Sequence, residues 1–373
     1  MKKFTDLGIR KDLAKGLDEM NIVVPTAIQE QVIPVLLEQK TDLVGQAQTG
    51  TGKTAAFGLP LLQQIDPNLD AVQGLVLCPT RELGKQIAKQ LFKYTKYSDK
   101  IFTEAVYGGE YIERQISRLS RTTHIIVATP GRLIDLVKRK AIDLSRVKTL
   151  ILDEADEMLS MGFKKDLEEI LSFSSMVENK WLFSATIPKE IEQMITTYLA
   201  PNALRLKLSG ENLVNDQINH QYLVCEAEEK LYVLMQFLNS EVENRGVVFC
   251  KTKATTKKLC KQLIAKNIKA DAIHGDLLQK ERDKVMRAFK NESLRILVAT
   301  DVAARGIDIP DLSYVVHFEL PQSDEYYTHR SGRTARAGKK GNSLCIVTHQ
   351  EAKQLKFYER NLGIKFSRIQ KVK

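Results

Sequence analysis

Short apolar runs rich in β-branched residues recur along the chain, each bounded by polar or turn residues and followed by a stretch of helical periodicity. These runs lie at residues 75–78, 125–128, 150–152, 181–183, 247–250, 296–299 and 314–316. Strands that are apolar on both faces and alternate with helices are typical of a parallel sheet covered by helices. This alternation constrains the fold more than any other feature, and it predicts an α/β protein.

The alternation occurs twice, and a chain of 373 residues is long enough for two domains, each with its own core. Between the two copies lies a mainly polar segment, which we interpret as a linker over residues 208–220. The sequence therefore predicts one domain at 1–207 and a second at 221–373. Because the chain ends soon after the last predicted helix, no third domain is expected.

Composition narrows the class of partner. Lysine and arginine outnumber aspartate and glutamate by 56 to 46, for a formal charge of +10. Such an excess favours a polyanion such as nucleic acid, although charge alone fits an ordinary solvated surface equally well. No apolar run reaches the ~20 residues that span a membrane, and the five scattered cysteines form no disulfide or zinc pattern. We therefore expect a cytoplasmic protein with no membrane partner.

A strand-like stretch at 42–44 is followed by a segment rich in glycine and threonine and then by the start of an Ala-rich helix. This segment is the most specific local signal, and it comprises Ala47, Gln48, Thr49, Gly50, Thr51, Gly52, Lys53 and Thr54. Glycines let successive backbone N–H groups turn toward phosphate oxygens, and a helix N-terminus adds partial positive charge. In such a P-loop Lys53 reaches the β- and γ-phosphates and Thr54 ligates Mg²⁺, although the strict pattern has Gly in place of Ala47.

Three acids follow the apolar run at 150–152, namely Asp153, Glu154 and Asp156. In an open α/β sheet, ligands bind at the carboxyl ends of the strands, where these acids are expected. Asp153 is predicted to hold Mg²⁺ through water, and Glu154 to orient or deprotonate the attacking water. Acids after a strand more often belong to an exposed loop, and the preceding P-loop is what favours the catalytic interpretation.

The acidic run at 153–156 spells the DEAD signature, and the sequence resembles the DEAD-box family of ATP-dependent RNA helicases, within superfamily 2, along most of its length. In the first half the family motifs are matched by Phe4 and by residues 25–29, 79–83, 108–109, 129–132, 153–156 and 184–186. In the second half they are matched at 248–252, 279–282, 299–308 and 329–338. The similarity is to compact bacterial members without a C-terminal extension. Gly84, Ser331 and Ala335 stand where the family usually has Ala, Ile and Gly.

The resemblance implies two RecA-like domains in tandem and a site for ATP with Mg²⁺. It implies that Gln29 contacts the adenine edge, that Phe4 stacks on the adenine ring and that Asp308 contacts the ribose. An amide both donates and accepts hydrogen bonds, which suits the paired donor and acceptor of adenine. Arg333 and Arg336 resemble the arginine fingers that stabilise charge developing on the γ-phosphate. Since both lie in the second domain, the resemblance implies that catalysis requires domain closure.

The resemblance also assigns two further groups of residues. The polar link between hydrolysis and the domain interface is implied to be Asp156, Ser184, Thr186 and His329. RNA contacts are implied at Thr80, Arg81, Gly109, Thr129, Arg132, Arg282 and Thr300. Such groups bind phosphate and sugar, so they position single-stranded RNA without reading its sequence. Few aromatic residues lie in these motifs, which argues against base stacking.

The function that the resemblance implies is RNA-stimulated ATP hydrolysis coupled to local, non-processive unwinding of short RNA duplexes or remodelling of ribonucleoprotein, by a monomer. Ribosomal RNA or pre-ribosomal particles are the expected target. An ATP-gated RNA clamp without productive unwinding would carry the same motifs. A DNA helicase of the same superfamily is disfavoured by Gln29 and the DEAD run, and a P-loop NTPase without a nucleic-acid partner by the arginine-rich motif at 329–338.

Overall fold

The computed structural model describes residues 2–48, 50–173, 177–207, 217–304, 312–335 and 340–370. The chain divides into two compact units, Met1–Ser209 and Gly210–Lys373, and each contains one seven-stranded sheet. The predicted linker extends too far at its carboxyl end, because residues 218–220 already belong to a strand of the second unit. Ile218 and His220 are buried there, and the pairing of this strand with its neighbour fixes them in the sheet.

The first unit carries the amino-terminal sheet. Its strands are β1 Leu43–Gln46, β2 Gly74–Leu77, β3 Thr103–Val106, β4 Ile125–Ala128, β5 Thr149–Asp153, β6 Asn179–Ser184 and β7 Leu204–Lys207. A 3₁₀ turn spans Phe4–Leu7, and the helices are α1 Lys11–Asp18, α2 Ala27–Glu38, α3 Lys53–Gln64, α4 Arg81–Tyr94, α5 Ile112–Leu119, α6 Pro130–Lys138, α7 Ala155–Ser160, α8 Lys164–Phe173 and α9 Lys189–Tyr198. The strands are all parallel, in the order β3-β4-β2-β5-β6-β1-β7.

Alternation of side chains along each central strand explains why helices cover both faces of this sheet. In β2, Leu75 and Leu77 belong to an apolar cluster formed with α6 to α9, whereas Val76 belongs to a second cluster formed with α1 to α4. All three side chains are fully buried, and each such burial contributes about 1.5–3 kcal/mol to folding. The sheet is therefore the middle of three layers, and both of its faces are occupied. Only its strand ends remain for a ligand.

The second unit repeats this plan. Its strands are β8 Ile218–Val224, β9 Gly246–Cys250, β10 Ala270–Ile273, β11 Ile296–Thr300, β12 Tyr314–His317, β13 Gly341–Val347 and β14 Ser367–Arg368. A 3₁₀ turn spans Ala227–Glu229, and the helices are α10 Lys230–Ser240, α11 Lys253–Ala265, α12 Gln279–Lys290, α13 Asp301–Ala304, α14 Asp324–Ser331 and α15 Ala352–Leu362. The parallel order is β10-β11-β9-β12-β13-β8-β14. Two such sheets confirm the α/β prediction.

Two further expectations concern the membrane and the thiols. Within the described ranges, no helix is both long and apolar enough to cross a bilayer. All five cysteines are buried and carry free thiols. Burial raises the pKa of Cys250 to about 12 and that of Cys260 to about 11, so both thiols stay protonated and poorly reactive near neutral pH.

Close contact between α1 and α4 depends on a glycine in the middle of α1. A Cβ added at Gly16 would lie 2.5 Å from the backbone oxygen of Tyr94 and 3.2 Å from that of Lys93. Leu13 and Leu17, on either side, are fully buried in the cluster that includes Leu91 of α4. The two helix backbones therefore approach each other at a point where no side chain fits.

We expect Gly16→Ala to destabilise the protein, against the usual trend. Alanine normally stabilises a helix interior by roughly 1 kcal/mol relative to glycine, but overpacking against a backbone costs about 1–3 kcal/mol. A net loss in the free energy of unfolding, measured with urea, is the expected result. Gly131→Ala is the matched control, because a Cβ there would meet only Asp166, at 3.8 Å. An unchanged or higher stability for Gly16→Ala would contradict the close approach.

Candidate functional site

The predicted P-loop connects the carboxyl end of β1 to the start of α3. Gly50 and Gly52 adopt positive φ angles of 83° and 93°, a backbone region that glycine tolerates without strain. Lys53 is buried, and its Nζ donates a hydrogen bond to the backbone oxygen of Ala47, 2.9 Å away. The ammonium group thus lies across the inside of the loop. A phosphate oxygen bound there would take the place of that carbonyl as its partner, so the loop fits a phosphate. Thr49 lies outside the described residues.

The predicted adenine-contacting residue is attached to this loop. Gln29 is buried, its Nε2 donates to the backbone oxygen of Gly52 at 3.0 Å, and its Oε1 accepts from the backbone N–H of Thr26 at 2.9 Å. The Thr26 hydroxyl in turn donates to the backbone oxygen of Thr51 at 2.8 Å. A Cβ at Gly52 would collide with Gln29 Nε2, so only glycine fits. Each polar atom of the amide retains capacity for one more hydrogen bond, and adenine contact stays a prediction.

Phe4 occupies a different environment from the one implied by the resemblance. Its ring is 3% exposed and belongs to the apolar cluster of α1 to α4. The Phe4–Leu7 turn that carries it contacts α1 and α2. In this structure Phe4 is therefore a core side chain that anchors the amino-terminal segment, and stacking on adenine stays a prediction.

The acids of the DEAD run lie at the same edge of the sheet as the P-loop. Asp153 is the last residue of β5, and β6 alone separates β5 from β1. Its carboxylate is buried, and Oδ1 has no hydrogen-bond partner among the described residues. Burial raises the pKa of Asp153 to about 7, although the Lys53 ammonium opposes the rise. A buried carboxylate oxygen without a partner is an oxygen ligand of the kind Mg²⁺ prefers, and Thr54, at the start of α3 on the same edge of the sheet, could supply a hydroxyl.

Glu154 is held in an uncommon backbone conformation. Its φ of 55° and ψ of 52° place it in the left-handed region, directly between β5 and α7. A residue with a Cβ costs roughly 1–2 kcal/mol there, and such strain clusters at functional sites. This conformation turns the chain sharply between Asp153, the last residue of β5, and Ala155, the first residue of α7. That Asp153 binds the metal and Glu154 acts as the base stays a prediction.

We expect Asp153→Asn to stabilise the nucleotide-free protein. Because the folded pKa is raised, the ionised carboxylate opposes folding by an amount that grows as the pH rises from the unfolded pKa to the folded one. Asparagine carries no charge, so the gain in unfolding free energy should increase from about pH 5 to about pH 8, reaching ~1–3 kcal/mol. Urea unfolding in the presence of EDTA measures the difference in unfolding free energy between the variant and the parent protein. Asp70→Asn, at an exposed position, is the control. A variant less stable than the parent protein at the higher pH would contradict the assignment.

Three of the four predicted coupling residues meet in the first unit. Asp156 Oδ2 accepts hydrogen bonds from the backbone N–H and the hydroxyl of Thr186, at 2.9 and 2.8 Å. The backbone N–H of Asp156 donates to Ser184 Oγ at 3.2 Å, and that hydroxyl donates to the backbone oxygen of Thr186 at 2.7 Å. The end of β6 is therefore tied to the DEAD run. The fourth residue, His329, is buried on α14 of the second unit.

The predicted RNA-contacting residues of the first unit also converge. Thr80 follows β2 and caps α4, Gly109 follows β3, and Thr129 follows β4. These three strands are neighbours in the sheet. Arg132 donates two hydrogen bonds of 3.1 Å to the backbone oxygen of Glu110, so it fixes the loop that contains Gly109. The guanidinium of Arg81 lies over the ring of Tyr107, 4.8 Å from its centroid, in the same loop.

In the second unit, the structure brings together the two predicted RNA contacts. Thr300 ends β11 and is buried, and Arg282 on α12 donates a hydrogen bond of 2.6 Å to the backbone oxygen of Ala303, just after it. Arg333 is buried two residues beyond the end of α14. Asp308 and Arg336 lie outside the described residues, so their roles stay predictions.

Sequence reasoning missed the arginine that anchors α14. Arg330 is 2% exposed, and its Nε and Nη2 donate to the two carboxylate oxygens of Asp301 at 2.5 and 2.8 Å. A third bond joins Nη1 to the backbone oxygen of Glu319 at 2.7 Å, and the guanidinium lies over the ring of Phe249. Arg330 thus fixes the helix that carries His329 to α13. The sequence feature that could have indicated this role is the position of Arg330 within the motif at 329–338.

A buried hydroxyl network surrounds Ser331, one of the departures from the family pattern. Ser331 Oγ lies 2.9 Å from Ser343 Oγ and 3.3 Å from His317 Nε2. Ser343 is also within 3.1 Å of both His317 Nε2 and Tyr327 Oη, and Tyr327 Oη is 2.6 Å from Nδ1 of His220. Burial holds the pKa of His317 well below its usual range, so the ring stays neutral. The serine completes a polar cluster that joins α14 to β8, β12 and β13.

Restoring the family's usual residue by Ser331→Ile should therefore destabilise this protein. The change removes a hydrogen-bonding group from a fully buried cluster and adds volume to a close-packed position, which together cost about 1–3 kcal/mol. Ser331→Ala removes only the hydroxyl, and a smaller loss is expected. Urea unfolding of both variants gives the comparison. An isoleucine variant as stable as the parent would show that the network contributes nothing.

The size of a cavity does not identify the site in this protein. A cavity of about 990 Å³ lies where α1, α4 and the start of β3 meet, and Phe92, Lys96, Phe102 and Arg121 contribute to its lining. None of the predicted site residues lines it. The chemically specific groups instead lie at the carboxyl ends of the strands, which is where ligands bind in open α/β sheets.

The fold and the site define a helicase core. The first α/β unit carries a P-loop and acidic residues at the end of a strand, and a second α/β unit follows it in the chain. Residues 26–194 match the family model described as DEAD/DEAH box helicase, and residues 229–338 match that of the helicase conserved C-terminal domain. The chain belongs to the DEAD/DEAH box helicase family, and the enzyme class predicted from the sequence is confirmed.

Relatives extend this match over almost the whole chain. The DEAD-box ATP-dependent RNA helicase CshA of Bacillus cereus is 42% identical over 369 residues, which is 99% of this chain and 70% of that protein. CshA of Geobacillus kaustophilus is 41% identical, covering 99% of this chain and 78% of that protein.

Solved structures confirm the tandem RecA-like fold. S. cerevisiae Dbp5 bound to RNA and ADP BeF3 matches with a TM-score of 0.92 at 31% identity, over 100% of this chain and 96% of that one. Mss116p bound to ssRNA and AMP-PNP matches with a TM-score of 0.90 at 27% identity, over 100% of this chain and 80% of that one.

Proposed function

We propose that the protein is an ATP-dependent RNA helicase, in which RNA-stimulated ATP hydrolysis drives local, non-processive unwinding of short duplexes or remodelling of ribonucleoprotein. The observation that carries this proposal is the hydrogen-bonded link from the P-loop side of the sheet to the DEAD run, through Asp156, Ser184 and Thr186. The names of the CshA relatives and the RNA-bound structures of Dbp5 and Mss116p support it.

Nucleotide binding and hydrolysis are assigned to the P-loop edge. Lys53 and the loop backbone hold the phosphates, while Thr54 and, through water, Asp153 would hold Mg²⁺, whose charge would neutralise that of the phosphate oxygens. Glu154 orients and deprotonates the attacking water, and Arg333 and Arg336 stabilise the charge that develops on the γ-phosphate. Gln29 contacts adenine and Asp308 contacts the ribose, whereas stacking by Phe4 would require its buried ring to leave the core. Hydrolysis reaches the rest of the protein through Asp156, Ser184, Thr186 and His329.

RNA binding is assigned to the basic and backbone groups at the ends of β2, β3, β4 and β11. Arg81, Arg132 and Arg282 supply positive charge there, and Thr80, Gly109, Thr129 and Thr300 supply hydroxyl and backbone groups. Because these groups suit phosphate and ribose, binding should be largely indifferent to sequence. Ribosomal RNA within pre-ribosomal particles is the proposed target of a monomer. The five buried free thiols suit the reducing cytoplasm.

The test compares ATP turnover with and without single-stranded oligoribonucleotide. We expect RNA to stimulate the native protein, and Glu154→Gln to lower turnover by roughly 10²- to 10⁴-fold while ATP and RNA binding persist, since the amide cannot accept the proton. Glu190→Gln, at an exposed position of α9, is the control. Unchanged turnover in Glu154→Gln would remove the assigned base, and no stimulation of the native protein by RNA would refute the proposed function.

Strand displacement distinguishes unwinding from the second candidate, an ATP-gated RNA clamp. The same contacts serve a clamp, because it also requires ATP-dependent binding of a single strand. A short duplex with a labelled strand should be separated by the native protein only when ATP is present. ATP-dependent RNA binding without strand release would favour the clamp.

A further inference from the structure

An exposed aromatic side chain stands beside the predicted RNA-contacting loop. Tyr111 immediately precedes α5, two residues after Gly109, and it is 72% exposed. The guanidinium of Arg114 lies over its ring, 5.5 Å from the centroid. Tyr111 does not cap α5 through its side chain, so removing the ring leaves the helix start intact. An aromatic ring backed by a cation and open to solvent is a surface on which a nucleobase can stack.

We propose that Tyr111 and Arg114 form a stacking platform for one base of the bound RNA strand. This inference rests on the proposed RNA-binding function and adds a base contact to a surface otherwise assigned to phosphate and ribose. It revises the expectation that base stacking plays no part. Since every base has a π-face, such a contact is compatible with binding that is largely indifferent to sequence.

The loop that carries Tyr111 is held rigidly. Arg118 donates two hydrogen bonds of 2.9 Å to the Glu110 carboxylate, and Gln115 donates to the same carboxylate at 3.1 Å and to the backbone oxygen of Tyr107 at 2.8 Å. The bonds from Arg118 lower the pKa of Glu110 to about 2, so its carboxylate stays charged and paired. With Arg132 on the Glu110 backbone oxygen, the platform is preorganised, and little ordering is required when RNA binds.

A second tyrosine in the loop shows why Tyr111 is the one available to a base. Tyr107 is 8% exposed, and both Arg81 and Lys85 lie over its ring, at 4.8 and 5.0 Å from the centroid. The Tyr107 ring therefore packs against Arg81, a residue assigned to RNA phosphate, and is not open to a base. Tyr111 projects from the same loop into solvent, so a strand whose phosphates meet Arg81 and Arg132 has a ring nearby for one of its bases.

The simplest rival explanation is an ordinary pair of helix residues. Tyr111 and Arg114 are three positions apart at the start of α5, and such pairs stabilise a helix slightly whether or not RNA is bound. Under that explanation, replacement of Tyr111 changes protein stability by a small amount and leaves RNA affinity unchanged.

The first experiment measures the affinity of labelled oligouridylate by fluorescence anisotropy, with ADP and beryllium fluoride present. Tyr111→Ala should weaken binding roughly 5- to 50-fold, whereas Tyr111→Phe keeps the ring and should stay within about 2-fold of the native protein. Tyr232→Ala is the matched control, since Tyr232 is a 62% exposed tyrosine on α10. The loss should be the same at low and high salt, because stacking releases no counterions. Native affinity in Tyr111→Ala overturns the proposal.

A second experiment identifies the base contact itself. Oligonucleotides that lack one base are compared, with the abasic position moved stepwise along the strand. At one position, loss of the base should weaken binding to the native protein but leave the affinity of Tyr111→Ala unchanged. Identical profiles for both proteins overturn the stacking platform while leaving the helicase proposal standing. If the native protein neither binds RNA nor increases its ATP turnover with RNA, both proposals fail together.

Discussion

Parallel pairing of β1, β6 and β5 is the constraint on which the nucleotide site depends. In this register Gln46 of β1 is opposite Ser184 of β6. Asp153 of β5 is opposite Phe183, which directly precedes Ser184 in β6. Segments far apart in the sequence therefore end at one edge of the sheet, where the P-loop, the DEAD run and the end of β6 lie side by side. Because both faces of the sheet are buried under helices, this edge is where polar chemistry can be placed without cost to the core.

The nucleotide site is built from groups that weaken the folded protein while no ligand is bound. Asp153 keeps a carboxylate oxygen buried without a partner, and Glu154 holds a left-handed backbone. Lys53 is buried, and the Ala47 carbonyl is its hydrogen-bond partner. Evolved proteins commonly sacrifice some stability at functional sites in this way. In the second unit, by contrast, Arg330 and the residues around Ser331 form their hydrogen bonds within the fold.

The central strands could be predicted from the sequence because they are buried on both faces. β2, β4 and β11 are apolar runs with no exposed position. The edge strands β3, β7, β10 and β14 lack such runs, since one side of each meets solvent. Glu104 interrupts β3, Arg205 interrupts β7 and Asp271 interrupts β10. The first three residues of β8, 218–220, were assigned to the linker because Asn219 and His220 are polar and their pairing with β13 cannot be seen in the sequence.

The site was predictable where residue type and spacing carry the chemistry, as in the P-loop and the DEAD run. It was not predictable where the outcome depends on three-dimensional neighbours. The burial of Phe4, the partners of Ser331 and the exposure of Tyr111 follow from packing between segments distant in sequence.

The hydrogen bond from Gln29 to the Gly52 backbone oxygen links the proposed adenine contact to the P-loop. One side chain would sense the base, and the same side chain sets the shape of the turn around the triphosphate. A purine with the wrong exocyclic group would therefore disturb the far end of the nucleotide as well as the near end. Selectivity among nucleotides would then be expressed in turnover and not only in occupancy.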